Sequence, residues 1–189
     1  MIDLTAAFRA VVAALDEIEA EYVVVGSTAA AGWGVARATR DVDLVAVIPA
    51  SAVEALLNSL ERDDLYVPSA EVRRVVAHAG SFNVLHMASG GKVDVFVARD
   101  GDAFERSRLD RRIASEVFGV SSWISTAEDV ILSKLRWRLE SRSEVQWRDC
   151  GEIAAIQQLD REYLDRWAPE LGVVDDLTEL LDGPTTGGR

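Results

Sequence analysis

The sequence predicts an α/β (α+β) fold: a mixed β-sheet core over residues 1–118, a helical C-terminal domain over 119–183 and a flexible tail over 184–189. Three observations lead there. Short runs rich in β-branched residues recur in the front two-thirds of the chain, at 22–25, 41–48, 82–87 and 92–97. Segments with apolar residues three or four apart lie among them, the signature of helices that bury one face. From Ser125 onward the patterns are all of helical period.

Taken in order, residues 3–20 carry Phe8, Val11, Val12, Leu15 and Ile18 on one helical face. Tyr22–Val25 is a strand that Gly26 ends in a turn. Ser27 suits an N-cap for a short Ala-rich helix, limited by Gly32 and Gly34. Residues 41–48, DVDLVAVI, make the second strand. Ser51 and Glu54 make a capping box before a helix with Val53, Leu56, Leu57 and Leu60 on its apolar face. VRRVVAHAG at 72–80 reads as strand or helix. FNVLHM at 82–87 and KVDVFV at 92–97 are strands joined across Ser89-Gly90-Gly91. Residues 98–112 are loop and helix, and 115–125 run as one strand or extended segment. A second capping box, Ser125 with Glu128, opens a helix through AEDVILSKLRWRLE, and further helices follow at 146–158, 161–171 and 174–181.

The totals narrow the chemistry. The 189 residues are 49% hydrophobic and 28% charged, as in ordinary soluble domains. A net charge of −12 argues against non-specific nucleic-acid binding, which depends on many Lys and Arg contacts to phosphate. One cysteine, Cys150, permits neither an internal disulfide nor a Cys-based zinc cluster. With only His78 and His86 besides, any metal must be held by oxygen, which favours hard ions such as Mg²⁺. The N-terminus has no basic-then-apolar signal pattern, and no apolar run is long enough to span a bilayer. A cytoplasmic protein without membrane contact is the expectation.

The second strand contains the chemical anomaly. Residues i and i+2 of a strand share a face, so Asp41 and Asp43 project together while Val42 and Leu44 turn into the core. Two carboxylates on one face repel unless a cation sits with them. KVDVFV repeats the device, with Asp94 between Val93 and Val95. If the two strands are neighbours, three carboxylates converge, and one or two Mg²⁺ ions are the natural occupants; paired metals of this kind clamp an in-line phosphoryl displacement. Gly26-Ser27 stands at a strand-to-helix junction, where backbone N–H groups and a hydroxyl suit a phosphate.

The order h-G-S, thirteen residues, D-V-D and a later lone strand Asp resembles the nucleotidyltransferase superfamily, the fold of DNA polymerase β. That resemblance implies a nucleotidyltransferase-fold mixed sheet. Gly26 and Ser27 then hold the β- and γ-phosphates of an NTP. Asp41, Asp43 and Asp94 hold two Mg²⁺ ions, and Asp94 also helps deprotonate the acceptor hydroxyl. STAEDVILSKLRWR and QWRDCGEI further resemble the helical region of the AbiEii-like nucleotidyltransferases, which include toxins of type IV toxin–antitoxin systems. There a helix-borne Lys contacts nucleotide phosphates and an Arg-Asp pair supports the site; Lys134, Arg148 and Asp149 match. Trp137, Ser141 and Glu152 depart from that pattern. The resemblance spans residues 20–170 and implies NMP transfer with pyrophosphate release, from an NTP in a cleft between Gly26-Ser27 and Lys134. The acceptor is a hydroxyl, of tRNA or a protein in the toxin members, with an antitoxin as partner.

Other readings stand beside these. A solvated basic face with Arg136, Arg138 and Arg142 would also explain Lys134. Asp149 could simply pair with Arg148 or cap a helix. Arg40 lends electrostatic support to the nucleotide, and Arg37 has no assigned role. The histidines are structural or partly exposed. The Trp residues pack, with Trp33 placed to do more, and Cys150 packs between helices. The rival functions are a non-catalytic nucleotide- or metal-binding module of a toxin–antitoxin pair, and a small-molecule adenylyltransferase of the antibiotic-modifying type.

Overall fold

The computed structural model describes residues 3–99 and 101–183. The expected flexible tail at 184–189 lies outside the described residues. Seven strands among the described residues form one mixed sheet in the order β3-β4-β5-β2-β1-β7-β6. They are β1 (Glu21–Val25), β2 (Asp41–Val47), β3 (Leu65–Tyr66), β4 (Gly80–His86), β5 (Gly91–Val97), β6 (Ile113–Val117) and β7 (Val120–Ile124). The chain divides into two compact units, Met1–Thr28 with Ala38–Ser125 and Ala29–Arg37 with Thr126–Arg189.

The first unit holds the sheet. Helix α1 (Thr5–Glu17) lays Phe8, Val11, Val12 and Leu15 into the core, each 2% exposed or less. The Phe8 ring meets Phe118 edge-on at 6.0 Å, a favoured aromatic geometry. Helix α3 (Val53–Leu60) buries its predicted face, Val53, Leu56, Leu57 and Leu60. Helix α4 (Ser69–His78) settles the ambiguous 72–80 stretch: Val72 and Val75, three apart, are both buried, and the helix stops at Ala79 with φ 57°. Helix α5 (Ala103–Asp110) leads into β6.

The single strand expected at 115–125 is instead a hairpin. Val117 pairs with Val120 across Phe118 and Gly119, whose φ angles are 51° and 71°. Positive φ at both central residues is the type I′ pattern that matches strand twist. Gly supplies one of them, and Phe-Gly is a weaker turn signal than Asn-Gly.

Both expected capping boxes are replaced by other arrangements. Ser51 lies in a short 3-10 turn, Ala50–Ala52, after Pro49, so α3 begins at Val53 without a side-chain cap. At the later box, the Ser125 N–H is already committed to the sheet, donating to the Val24 carbonyl at 3.0 Å. Thr126 therefore caps, its hydroxyl accepting the Asp129 N–H at 3.3 Å. Glu128 instead accepts the Asp160 N–H at 2.9 Å.

The second unit is helical. Helix α2 (Gly26–Gly32) begins in the first unit and ends in the second, and α6 (Ala127–Ser141), α7 (Glu144–Ile156), α8 (Arg161–Leu171) and α9 (Val174–Asp182) follow. Ile131, Leu132, Leu135, Ile153 and Leu164 are fully buried. No helix among the described residues is long and apolar enough to cross a membrane.

Candidate functional site

The acids of the sheet do converge. Strand β2 lies between β1, antiparallel, and β5, parallel. In this register Asp43 stands opposite Asp94 on β5 and opposite Val25 on β1, while Asp41 stands opposite Lys92. Val42, Leu44, Val93 and Val95 are completely buried. Strand alternation therefore puts Asp41, Asp43, Lys92 and Asp94 together on the other face. Like charges directly opposite destabilise a sheet, so the Asp43–Asp94 pair calls for a compensating cation.

Lys92 supplies one. Its Nζ lies 2.6 Å from Asp94 Oδ2 and 3.3 Å from Asp41 Oδ2. The hydrogen bond to Asp94 raises the lysine pKa above its ordinary value, so the ammonium is charged at neutral pH. Among the described residues, no three His, Cys, Asp or Glu side chains are arranged as a ready metal site in this structure. The donor chemistry nonetheless fits a hard ion: three carboxylates on one face, from two paired strands, without His or Cys.

Gly26 is locked to this cluster. Its φ of 63° favours glycine, and an added Cβ would stand 2.2 Å from Asp43 Oδ2. Ser27 follows, half-buried, in the seven-residue helix α2. Thr28, next along, is 8% exposed, and its hydroxyl oxygen has no hydrogen-bond partner among the described residues. A buried hydroxyl left unpaired costs about 1–3 kcal/mol, so Thr28 belongs among the groups to watch; nothing in its sequence context announces it. The Thr39 hydroxyl donates to the Asp41 carbonyl at 2.8 Å and pins the mouth of β2. Arg40 is exposed and forms no ion pair among the described residues.

A second polar cluster lies within the helical unit, between α6 and α7. Lys134 is 4% exposed, and its ammonium donates to Asp149 Oδ2 and to Gln146 Oε1, both at 2.8 Å. Arg37 Nη1 reaches the same Asp149 oxygen at 3.4 Å. Asp149 is fully buried, and its Oδ1 has no hydrogen-bond partner among the described residues. The solvated-face reading of Lys134 is thereby overturned, since the side chain points between helices into an ion pair. Asp149 pairs with Lys134 and Arg37, not with Arg148, which faces Glu152 at 3.6 Å. Sequence reasoning missed Gln146 and left Arg37 without a role. Cys150 is buried, its thiol 3.7 Å from the Ile131 carbonyl, and burial pushes its pKa up to about 12. Trp33 accepts a hydrogen bond from Gln157 Nε2 through its carbonyl at 3.3 Å, within the same unit.

Sequence-predicted residues thus fall into two groups: Gly26, Ser27, Asp41, Asp43, Asp94 and Arg40 in the sheet unit, and Lys134 with Asp149 in the helical unit.

Solved structures match this chain at low identity. An antigenic nucleotidyltransferase-like protein from Paracoccidioides brasiliensis aligns with a TM-score of 0.56 at 19% identity, over 95% of this chain and 93% of its own. The antibiotic-resistance factor ANT(2'')-Ia, in complex with adenylyl-2''-tobramycin, aligns with a TM-score of 0.58 at 15% identity, over 89% of this chain and 96% of its own. No protein-family model and no curated protein sequence matches the chain. The fold is that of the nucleotidyltransferase-like proteins.

Proposed function

We propose that the chain is a nucleotidyltransferase, moving an NMP group from an NTP to a hydroxyl acceptor with release of pyrophosphate. The observation that carries this reading is the register of β2 against β5, which sets Asp43 opposite Asp94 with Asp41 on the same face, against the close approach of Gly26. Half-buried acids so arranged, on a sheet of this fold, set like charges side by side at a cost to the sheet. Bound there, two Mg²⁺ ions would neutralise the triphosphate and stabilise charge at the reacting phosphorus. Asp41, Asp43 and Asp94 are the residues that would hold them.

The rest falls to the chain's own groups. Gly26 and Ser27 hold the β- and γ-phosphates, and Arg40 adds positive charge. Asp94 takes the proton of the acceptor hydroxyl. That oxygen bonds to the α-phosphorus, the bond from the α-phosphorus to the pyrophosphate oxygen breaks, and pyrophosphate leaves. Catalysis of this kind is positioning and charge neutralisation. Lys134 and Asp149 are assigned to the nucleotide by the AbiEii-like resemblance, in a cytoplasmic protein.

For the acceptor, the same resemblance favours tRNA or a protein, with a toxin role and an antitoxin partner. A small hydroxylated molecule is the second reading, favoured by a neighbour solved with an adenylylated antibiotic and by a net charge of −12, which repels polyanions. One assay separates them: the full chain with Mg²⁺, each of the four α-³²P-labelled NTPs, and total RNA, total protein or aminoglycosides. Label should appear in one acceptor class and vanish with Asp43→Ala. Absence of transfer to every acceptor leaves the non-catalytic module as the better reading.

A further inference from the structure

Lys92 is the one member of the acid cluster that the proposed reaction does not use. It stands opposite Asp41 on the neighbouring strand and two residues before Asp94 on its own, so one ammonium answers both carboxylates. The side chain is 33% exposed, with solvent on one side. A lysine suits such a post: its ammonium is compact, its stem is flexible, and its three donors re-aim at little cost.

We infer that Lys92 is a built-in counter-cation, lying between Asp41 and Asp94 in the metal-free chain, and that a divalent ion must displace it to bind. The inference rests on the assignment of these carboxylates to a divalent ion. Two consequences follow from charge alone. Without Lys92, the metal-free chain carries Asp41 and Asp94 on one face without the ammonium that pairs with both, and loses stability. Without Lys92, an incoming ion also displaces no charge-assisted hydrogen bond, and binds more tightly. Lys92 therefore sets the divalent-ion concentration at which the site fills, and keeps the sheet intact below it.

The test uses Mn²⁺ alone as the probe, with the full chain and no nucleotide. Free Mn²⁺ is counted by electron paramagnetic resonance in titrations of wild type, Lys92→Met, Lys92→Arg and Asp43→Ala, and melting temperatures are taken with and without the ion. Lys92→Met should bind Mn²⁺ about tenfold more tightly than wild type, the worth of one partly exposed charge-assisted bond. Lys92→Arg, which keeps the charge, should stay within about threefold of wild type. Metal-free Lys92→Met should melt below wild type and gain more from Mn²⁺. Should Lys92→Met fail to fold, Lys92→Gln serves in its place, with the same expectations. Binding no tighter than wild type in the neutral variant overturns the inference, and the metal reading survives if Asp43→Ala still weakens binding. Tighter binding that Asp43→Ala leaves untouched in the Lys92→Met background places the ion elsewhere and overturns both. If neither wild type nor the neutral variant takes up Mn²⁺, both fall together.

Discussion

Asp43 and Asp94 stand directly opposite each other on neighbouring parallel strands, with completely buried valines and leucine on the reverse face of the same strands. That cross-strand relationship fixes what the neighbouring positions tolerate, and several consequences can be measured.

Gly26 answers to Asp43. Replacing it with alanine forces a Cβ into a positive φ and against the Asp43 carboxylate. The backbone term alone is about 1–2 kcal/mol. The carboxylate is the mobile end of a side chain, so it moves aside and the fold survives. We expect Gly26→Ala to lose about 1–2 kcal/mol in urea denaturation but about a hundredfold in transfer rate, because a displaced catalytic group is costly at the ångström scale. A stability loss with unchanged rate would detach Gly26 from the site.

The buried Lys134–Asp149 pair is breakable from either end. Lys134→Met leaves a fully buried carboxylate whose one remaining cation among the described residues is Arg37, at 3.4 Å, and should cost about 3–5 kcal/mol. Lys134→Met with Asp149→Leu should cost less than the sum of the two single changes, since neither variant charge then stands alone. Chemical denaturation of the four proteins closes the cycle; additive losses would mean the pair is not coupled.

Cys150 is predicted to be inert. Its thiol pKa of about 12, raised chiefly by burial, leaves almost no thiolate at pH 8. A thiol-reactive chromogenic disulfide should label the native chain only at its rate of unfolding, and promptly in guanidinium. Prompt labelling of native protein would contradict the packing of α6 on α7.

The sheet unit should soften in acid through Glu21. Arg106, hydrogen-bonded at 2.9 Å, lowers the Glu21 pKa below its ordinary 4.5. A depressed carboxylate pKa stabilises the fold above the unfolded value, and that contribution fades as pH falls from about 4.5 through the folded value. Both side chains are well exposed, so the effect is under about 1 kcal/mol. Arg106→Gln should melt lower than wild type at pH 7, and the gap should narrow by pH 3. A constant gap would assign the Arg106 effect to packing.

Much of this site was legible because strand alternation is local. Asp-Val-Asp and Val-Asp-Val show in six or seven residues which side chains share a face, and both readings held in β2 and β5. Lys92 lay inside the same quoted run, yet nothing local separates a bridging lysine from a solvated one. Its role depends on the parallel register that sets it opposite Asp41. The solvated-face alternative for Lys134 fails for a similar reason: the charges around it suggest a wet face, and the packing of α7 buries it. Thr126 displaced Ser125 as a cap because the sheet had already claimed the Ser125 N–H. In each case a long-range partner outweighed a sound local signal.

The central claim is that this carboxylate face binds nucleotide through a divalent ion. Calorimetric titration of each NTP into the full chain, with Mg²⁺ and with a chelator, tests it most directly against Asp41→Asn and Asp43→Asn. The account predicts binding that needs Mg²⁺ and is lost in both variants, while their melting temperatures hold. Binding that persists in the chelator, or in both variants, would contradict it.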